Sequence, residues 1–131
     1  MTPHQPDAVP AAPAHAQLRL QRDYRPAFLR YLSRRDESAR HAGYVLGRTA
    51  VASGLSVLDL VEAHHVTLLE VLPDARDASE VVGMSTAASE FLTEALAAFS
   101  MTSSAFTAMA AQLEQAQQEL ARLRELGGPA G

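Results

Sequence analysis

FLTEALAAFSMTSSAFTAMAAQLEQAQQELARLREL, residues 91–126, decides the fold class. Within it Leu92, Ala95, Phe99, Thr102, Phe106, Met109, Leu113, Ala116, Leu120 and Leu123 follow one another in alternating steps of three and four. Such steps keep one face of an α-helix apolar and form a heptad seam, here weakened by Ala and Thr at several positions. Upstream, Asp77 and Glu80 have the spacing of a capping box, so the helix is expected to start near Asp77 and run to about Leu126. At 1.5 Å per residue that is roughly 70 Å, twice what a small bundle needs. Gly83 and Ser85 are the places where its first turns are expected to break. The seam up to Met109 reads as bundle core. Beyond Met109 the other helices are too short to cover it, and a second copy is expected there.

Working back toward the N-terminus, every segment keeps the helical period and none alternates as a strand does. Ser56-Val57-Leu58-Asp59 opens a helix with a capping-box start, and Pro73-Asp74 closes it. Its stripe Leu58, Val61, His65, Leu68 and Leu72 is expected to face the core, with Val57, Leu60, His64, Thr67 and Val71 beside it. Asp36 is the expected N-cap of the preceding helix, which carries Ala39, Ala42, Tyr44, Leu46, Ala50 and Val51 and closes at Gly54. The first helix carries Leu18, Leu20, Tyr24, Phe28, Leu29, Tyr31 and Leu32, and Pro26 is expected to kink or restart it. Pro3, Pro6, Pro10 and Pro13 make residues 1–16 an expected disordered tail, and residues 127–131 an expected frayed end. The fold class is therefore all-α: a four-helix, bundle-like domain over residues 17–126 whose last helix continues as a coiled-coil segment.

Composition closes most routes to an enzyme. The 131 residues include no Cys, Lys, Asn, Trp or Ile. Thiol nucleophiles, thiolate metal sites, Schiff-base lysines and the phosphate-binding Lys of a P-loop are all excluded. No apolar run approaches the roughly 18 residues of a membrane span. The start Met1-Thr2-Pro3-His4 has neither the basic nor the apolar region of a secretion signal, so a cytoplasmic location is expected. Residues 19–48 carry eight Arg against three acids, whereas residues 49–131 carry three Arg against eleven. With a net charge of −4 and no aromatic or Gly-rich interleaving, the Arg-rich part is read as a solvated or protein-facing surface, not a nucleic-acid site.

One grouping has metal-ligand spacing. Glu62 and His65 stand three apart, as in helical bundles that hold two metal ions, and Glu62, His64 and His65 are the alternative reading as a metal-binding enzyme or carrier. Those sites need a second such motif, which is absent, and adjacent His64 and His65 point about 100° apart on a helix. A histidine that packs its ring and bonds across the bundle is favoured. Glu90 and Glu94 are a helix-spaced acid pair on a solvated face, and no serine–histidine–acid set has a signature context.

Tyr44-Val45-Leu46-Gly47-Arg48, Gly54-Leu55-Ser56-Val57-Leu58-Asp59-Leu60, His64-His65, Leu68-Leu69 and Glu90-Phe91-Leu92-Thr93-Glu94-Ala95-Leu96, followed by Phe99, Met101 and Phe106, form an ordered series. Over about residues 18–125 it resembles the N-terminal regulatory domain of RsbU-type phosphoserine phosphatases, in its actinobacterial form. The resemblance implies a dimerising four-helix signalling domain that receives a switch-kinase-like protein and whose last helix leads as a coiled linker into a PP2C-type phosphatase. Similar domains precede histidine-kinase modules. Where the family reads Pro-Phe-Glu-Met-Thr-x-Arg-Gly-Phe, this chain reads Ala98-Phe99-Ser100-Met101-Thr102-Ser103-Ser104-Ala105-Phe106, without the Glu and the Arg. No effector domain follows Leu126, so a free-standing regulatory copy in a stress-response or partner-switching pathway is expected.

The residues expected to meet a partner or a second copy are Tyr44, Arg48, Phe99, Met101, Phe106, Leu113 and Leu120. Gly47, Gly54, Ser56, Asp59, His64 and His65 are expected to serve the fold. Gly47 allows a close helix approach, and Arg48 can bond a carboxylate such as Asp59 or Glu94. No catalytic residue, metal ligand or cofactor is assigned. The expected partners are a second copy and a switch-kinase-like, phosphatase or sensor-kinase protein.

Overall fold

A computed structural model describes residues 8–127. The helices are α1 (Ala8–Arg34), α2 (Glu37–Ala52), α3 (Val57–Val71) and α4 (Ala78–Gly127), with a short 3-10 turn at Leu72–Asp74. No strand occurs among the described residues. The chain divides into two compact units, one ending at Ser100 and one beginning at Met101. The expected tail over residues 1–7 and the frayed end beyond residue 127 lie outside the described residues.

Local chemistry sets the helix ends. Asp36 caps α2 by accepting the N–H of Ala39 at 2.8 Å. The α2 C-terminus closes through Gly54 at φ 78°, with Gly54 N–H donating to the Val51 carbonyl and Leu55 N–H to that of Ala50. This is a Schellman closure, and the positive φ is why glycine stands there. Ser56 accepts from the N–H groups of Leu58 and Asp59, and Asp59 accepts in return from the N–H of Ser56, completing the box at the start of α3. Asp77 accepts the N–H of Glu80 at 2.9 Å, but the Glu80 carboxylate reaches one residue further back, to the N–H and guanidinium of Arg76.

The expected restart at Pro26 and the expected break at Gly83 or Ser85 do not occur. α1 passes through Pro26 without interruption. Pro26 is exposed, so the Arg22 carbonyl it leaves without an N–H partner can be met by water. α1 also starts at Ala8, inside the stretch expected to be a tail; Pro10 falls in its first turn, where N–H groups have no helical partner to lose. α4 runs unbroken past Gly83 and Ser85, and a Cβ at Gly83 would meet open space.

The core of the first unit forms around Phe91. Its ring lies 5.4 Å from Tyr24, 5.7 Å from Phe28 and 5.8 Å from Tyr31, centroid to centroid. Leu20, Tyr24, Phe28 and Tyr31 recur at helical spacing along α1, and all are buried. Complete burial of a ring such as Phe28 or Phe91 contributes roughly 1.5–3 kcal/mol. α4 answers with Ala87, Ala88, Ala95 and Ala98 around Phe91. The buried face of α4 is thus centred on Phe91, whereas the seam's Leu92 is only half-buried.

Small residues bring α2 and α4 together. A Cβ on Gly43 would lie 3.1 Å from the Phe91 ring, and a Cβ on Gly47 would overlap the carbonyl of Ala95. Gly47 therefore holds the close approach that its place on α2 suggested.

Candidate interaction surface

α3 is apolar around most of its circumference, and its phase is corrected here. Leu60, Ala63, Thr67 and Val71 are buried, and His64 is half-buried. Leu58, Val61 and His65, expected to face inward, are exposed. Nδ1 of His64 lies 3.0 Å from the Tyr24 hydroxyl, and the two rings meet edge-on at 5.9 Å. Burial pushes the Tyr24 hydroxyl well above its ordinary pKa. Burial, then the neighbouring charge of His65, holds His64 below its ordinary value. The neutral ring packs inside the bundle and bonds across it.

The metal alternative does not assemble. Glu62 accepts from Nε2 of Gln17 at 3.1 Å, His64 is turned to Tyr24, and His65 stands exposed. Among the described residues no group of three or more His, Asp or Glu is placed to hold a metal ion.

A polar latch, not foreseen in the sequence, joins α1 to α4. The Tyr31 hydroxyl donates to Glu90 at 2.7 Å, and Arg35 donates to the same carboxylate oxygen at 2.9 Å. The Arg35 guanidinium also lies over the Tyr31 ring, 5.3 Å from its centroid. Arg35 holds φ 53°, a left-handed conformation that costs a non-glycine residue roughly 1–2 kcal/mol. Tyr31, then Arg35, holds the Glu90 carboxyl below the ordinary range. Arg48 is exposed and forms no ion pair with Asp59 or Glu94 among the described residues. Asp59 is already committed to the Ser56 cap.

The remaining residues expected to meet a partner divide by exposure. Tyr44 is half-buried and stacks on His41 with centroids 5.4 Å apart and planes 13° from parallel. Phe99 packs partly against the first unit's core. Met101, Phe106, Leu113 and Leu120 are 56 %, 50 %, 60 % and 49 % exposed. Phe106, Leu113 and Leu120 make an apolar row with Met109 and Leu123, also exposed, in the second unit, where every residue from 104 to 127 is exposed; Met101 lies off that row. Large exposed apolar rows of this kind mark surfaces that bind protein or membrane. No described helix is long and apolar enough to cross a membrane.

The fold is an all-α unit with an aromatic core, and the rest of its last helix carries an exposed apolar row. Residues 22–102 match the family described as the N-terminal domain of the phosphoserine phosphatase RsbU, and the chain belongs to that family. The match runs from α1 into α4 and takes in Tyr24, His64, Glu90 and Phe91. It is the regulatory N-terminal domain of those enzymes, distinct from their phosphatase domain. Neither the curated proteins nor the solved structures contain a match.

Proposed function

We propose that the protein is a non-catalytic signalling domain that dimerises through the second unit of α4 and binds a cytoplasmic partner-switching protein. The partner is a switch-kinase-like protein or a related phosphatase, in a bacterial stress-response pathway. The observation that carries this reading is the row Phe106, Met109, Leu113, Leu120 and Leu123, exposed along one face of the helix in a chain of this regulatory family. Hiding such a row from water is the main driving force for association. Tyr44 and Met101 are the residues assigned to the partner, since Met101 exposes an adaptable apolar side chain and Tyr44 leaves part of a rigid aromatic ring uncovered.

The test is titration calorimetry of the purified protein against a switch-kinase-like protein from the same cell. Saturable binding, weakened about tenfold by Met101→Asp, supports the reading; tenfold corresponds to about 1.4 kcal/mol. No saturable binding by the unaltered chain contradicts the partner assignment.

A further inference from the structure

We propose that residues 102–127 of two chains pair as a parallel, in-register coiled coil, with Glu119 of one protomer bonded to Arg124 of its partner. The inference rests on the dimer reading above and adds the direction and register of pairing. Heptad numbering of the seam puts Phe106, Leu113 and Leu120 at the a positions and Met109, Ala116 and Leu123 at the d positions. These two sets face a partner helix. All six residues are exposed.

Direction is set by the flanking e and g positions, which line the two edges of the contact. Ala105, Gln112, Glu119 and Leu126 occupy g, and Ser103, Ala110, Gln117 and Arg124 occupy e. Among them only Glu119 and Arg124 are charged, and their signs are opposite. In a parallel pair each g residue meets the e residue five positions further along the other chain, and Arg124 is five residues beyond Glu119. Two-fold symmetry makes the contact twice. Gln112 then meets Gln117, and Ala105 meets Ala110, so no like charges oppose each other.

The antiparallel pairing that covers the same stretch loses these contacts. There g faces g and e faces e, so Glu119 would lie against Gln112 or Ala105, and Arg124 against Ser103 or Ala110. Neither charge would find its opposite. Within one chain Arg122 donates to one Glu119 carboxylate oxygen at 2.8 Å. The other oxygen is left for the partner's guanidinium, and both side chains of the intrachain pair are more than half exposed.

Because the chain has no cysteine, single cysteines report the geometry without background. Full-length protein carrying Leu120→Cys is oxidised gently at a concentration where light scattering shows a dimer. In the parallel pairing position 120 faces its own copy, and the expected result is near-complete disulfide-linked dimer. A scattering dimer that cross-links only when Met109→Cys and Leu120→Cys chains are mixed is antiparallel and overturns the proposal, while leaving the dimer reading intact. A scattering monomer overturns both. For the ion pair, Glu119→Arg and Arg124→Glu singly are expected to weaken dimerisation several-fold, and the double exchange to restore most of it. Failure of the double exchange to recover affinity removes the Glu119–Arg124 contact.

Discussion

The Tyr24 hydroxyl and Nδ1 of His64 lie 3.0 Å apart inside the bundle, tying α1 to α3 across the core. Tyr24→Phe removes the hydroxyl without leaving a large cavity and deprives a half-buried nitrogen of its partner. The expected loss of stability is about 0.5–1.5 kcal/mol in denaturant unfolding, with the helical circular dichroism spectrum unchanged. Full stability in Tyr24→Phe would deny the bond its role.

The same pair predicts a response to acid. Above the ordinary histidine pKa, near 6.5, His64 is neutral in both folded and unfolded chains and the stability is at its full value. As the pH falls below that point the unfolded ring takes up a proton that burial denies the folded ring, so stability declines. A second decline is expected at lower pH. Glu90 is held below its ordinary value first by Tyr31 and then by Arg35, so its contribution is present above the ordinary carboxylate pKa and lost as pH falls through the folded value. Unfolding midpoints measured against pH should lose the first decline in His64→Leu, and Glu90→Gln should shrink the second, to which Glu80 beside Arg76 also contributes.

Gly47 should tolerate substitution least. A methyl group there overlaps the Ala95 carbonyl, a backbone atom that cannot swing aside, whereas at Gly43 it meets the Phe91 ring at 3.1 Å. Gly47→Ala is expected to cost about 3 kcal/mol or more, at the upper end of overpacking penalties, and Gly43→Ala less. Thermal unfolding of the two variants checks the order. Equal melting temperatures would mean that α2 and α4 are not locked at Gly47.

The cap at the start of α3 offers a calibrating comparison. Ser56→Ala removes the acceptor for two N–H groups and is expected to cost about 1 kcal/mol. Gly54→Ala creates no clash but forces an alanine to φ 78°, with a cost of similar size. Chemical denaturation of both variants measures these terms.

Local signals were the most legible part of the sequence. Asp36, Gly54, Ser56 with Asp59, and Asp77 mark their helix ends because each act involves neighbours a few residues apart. The phase of α3 was not legible, because Leu58, Val61 and Leu69 are as apolar as Leu60 and Val71, and a rotation of about 100° fits either set. His64 and His65 exchanged roles for that reason. Phe91 stood in plain view with Ala87, Ala88, Ala95 and Ala98 at helical spacing, but the longer seam through Leu92 masked it. The Tyr31–Glu90–Arg35 latch joins residues 55–59 positions apart, beyond any local pattern. Beyond Met109 the row was legible from the heptad period, since no large apolar residue up to Leu123 lies off that face. Phe106 and Met109, expected in the bundle core, are instead 50 % and 63 % exposed, because Phe99 is the last apolar seam residue that packs against the core.

Size-exclusion chromatography with light scattering on the intact chain tests the central claim most directly. The account predicts twice the chain mass at low micromolar concentration, falling to the chain mass in Leu113→Asp with the unfolding of the first unit unchanged. A single chain mass for the unaltered protein at high micromolar concentration would contradict it.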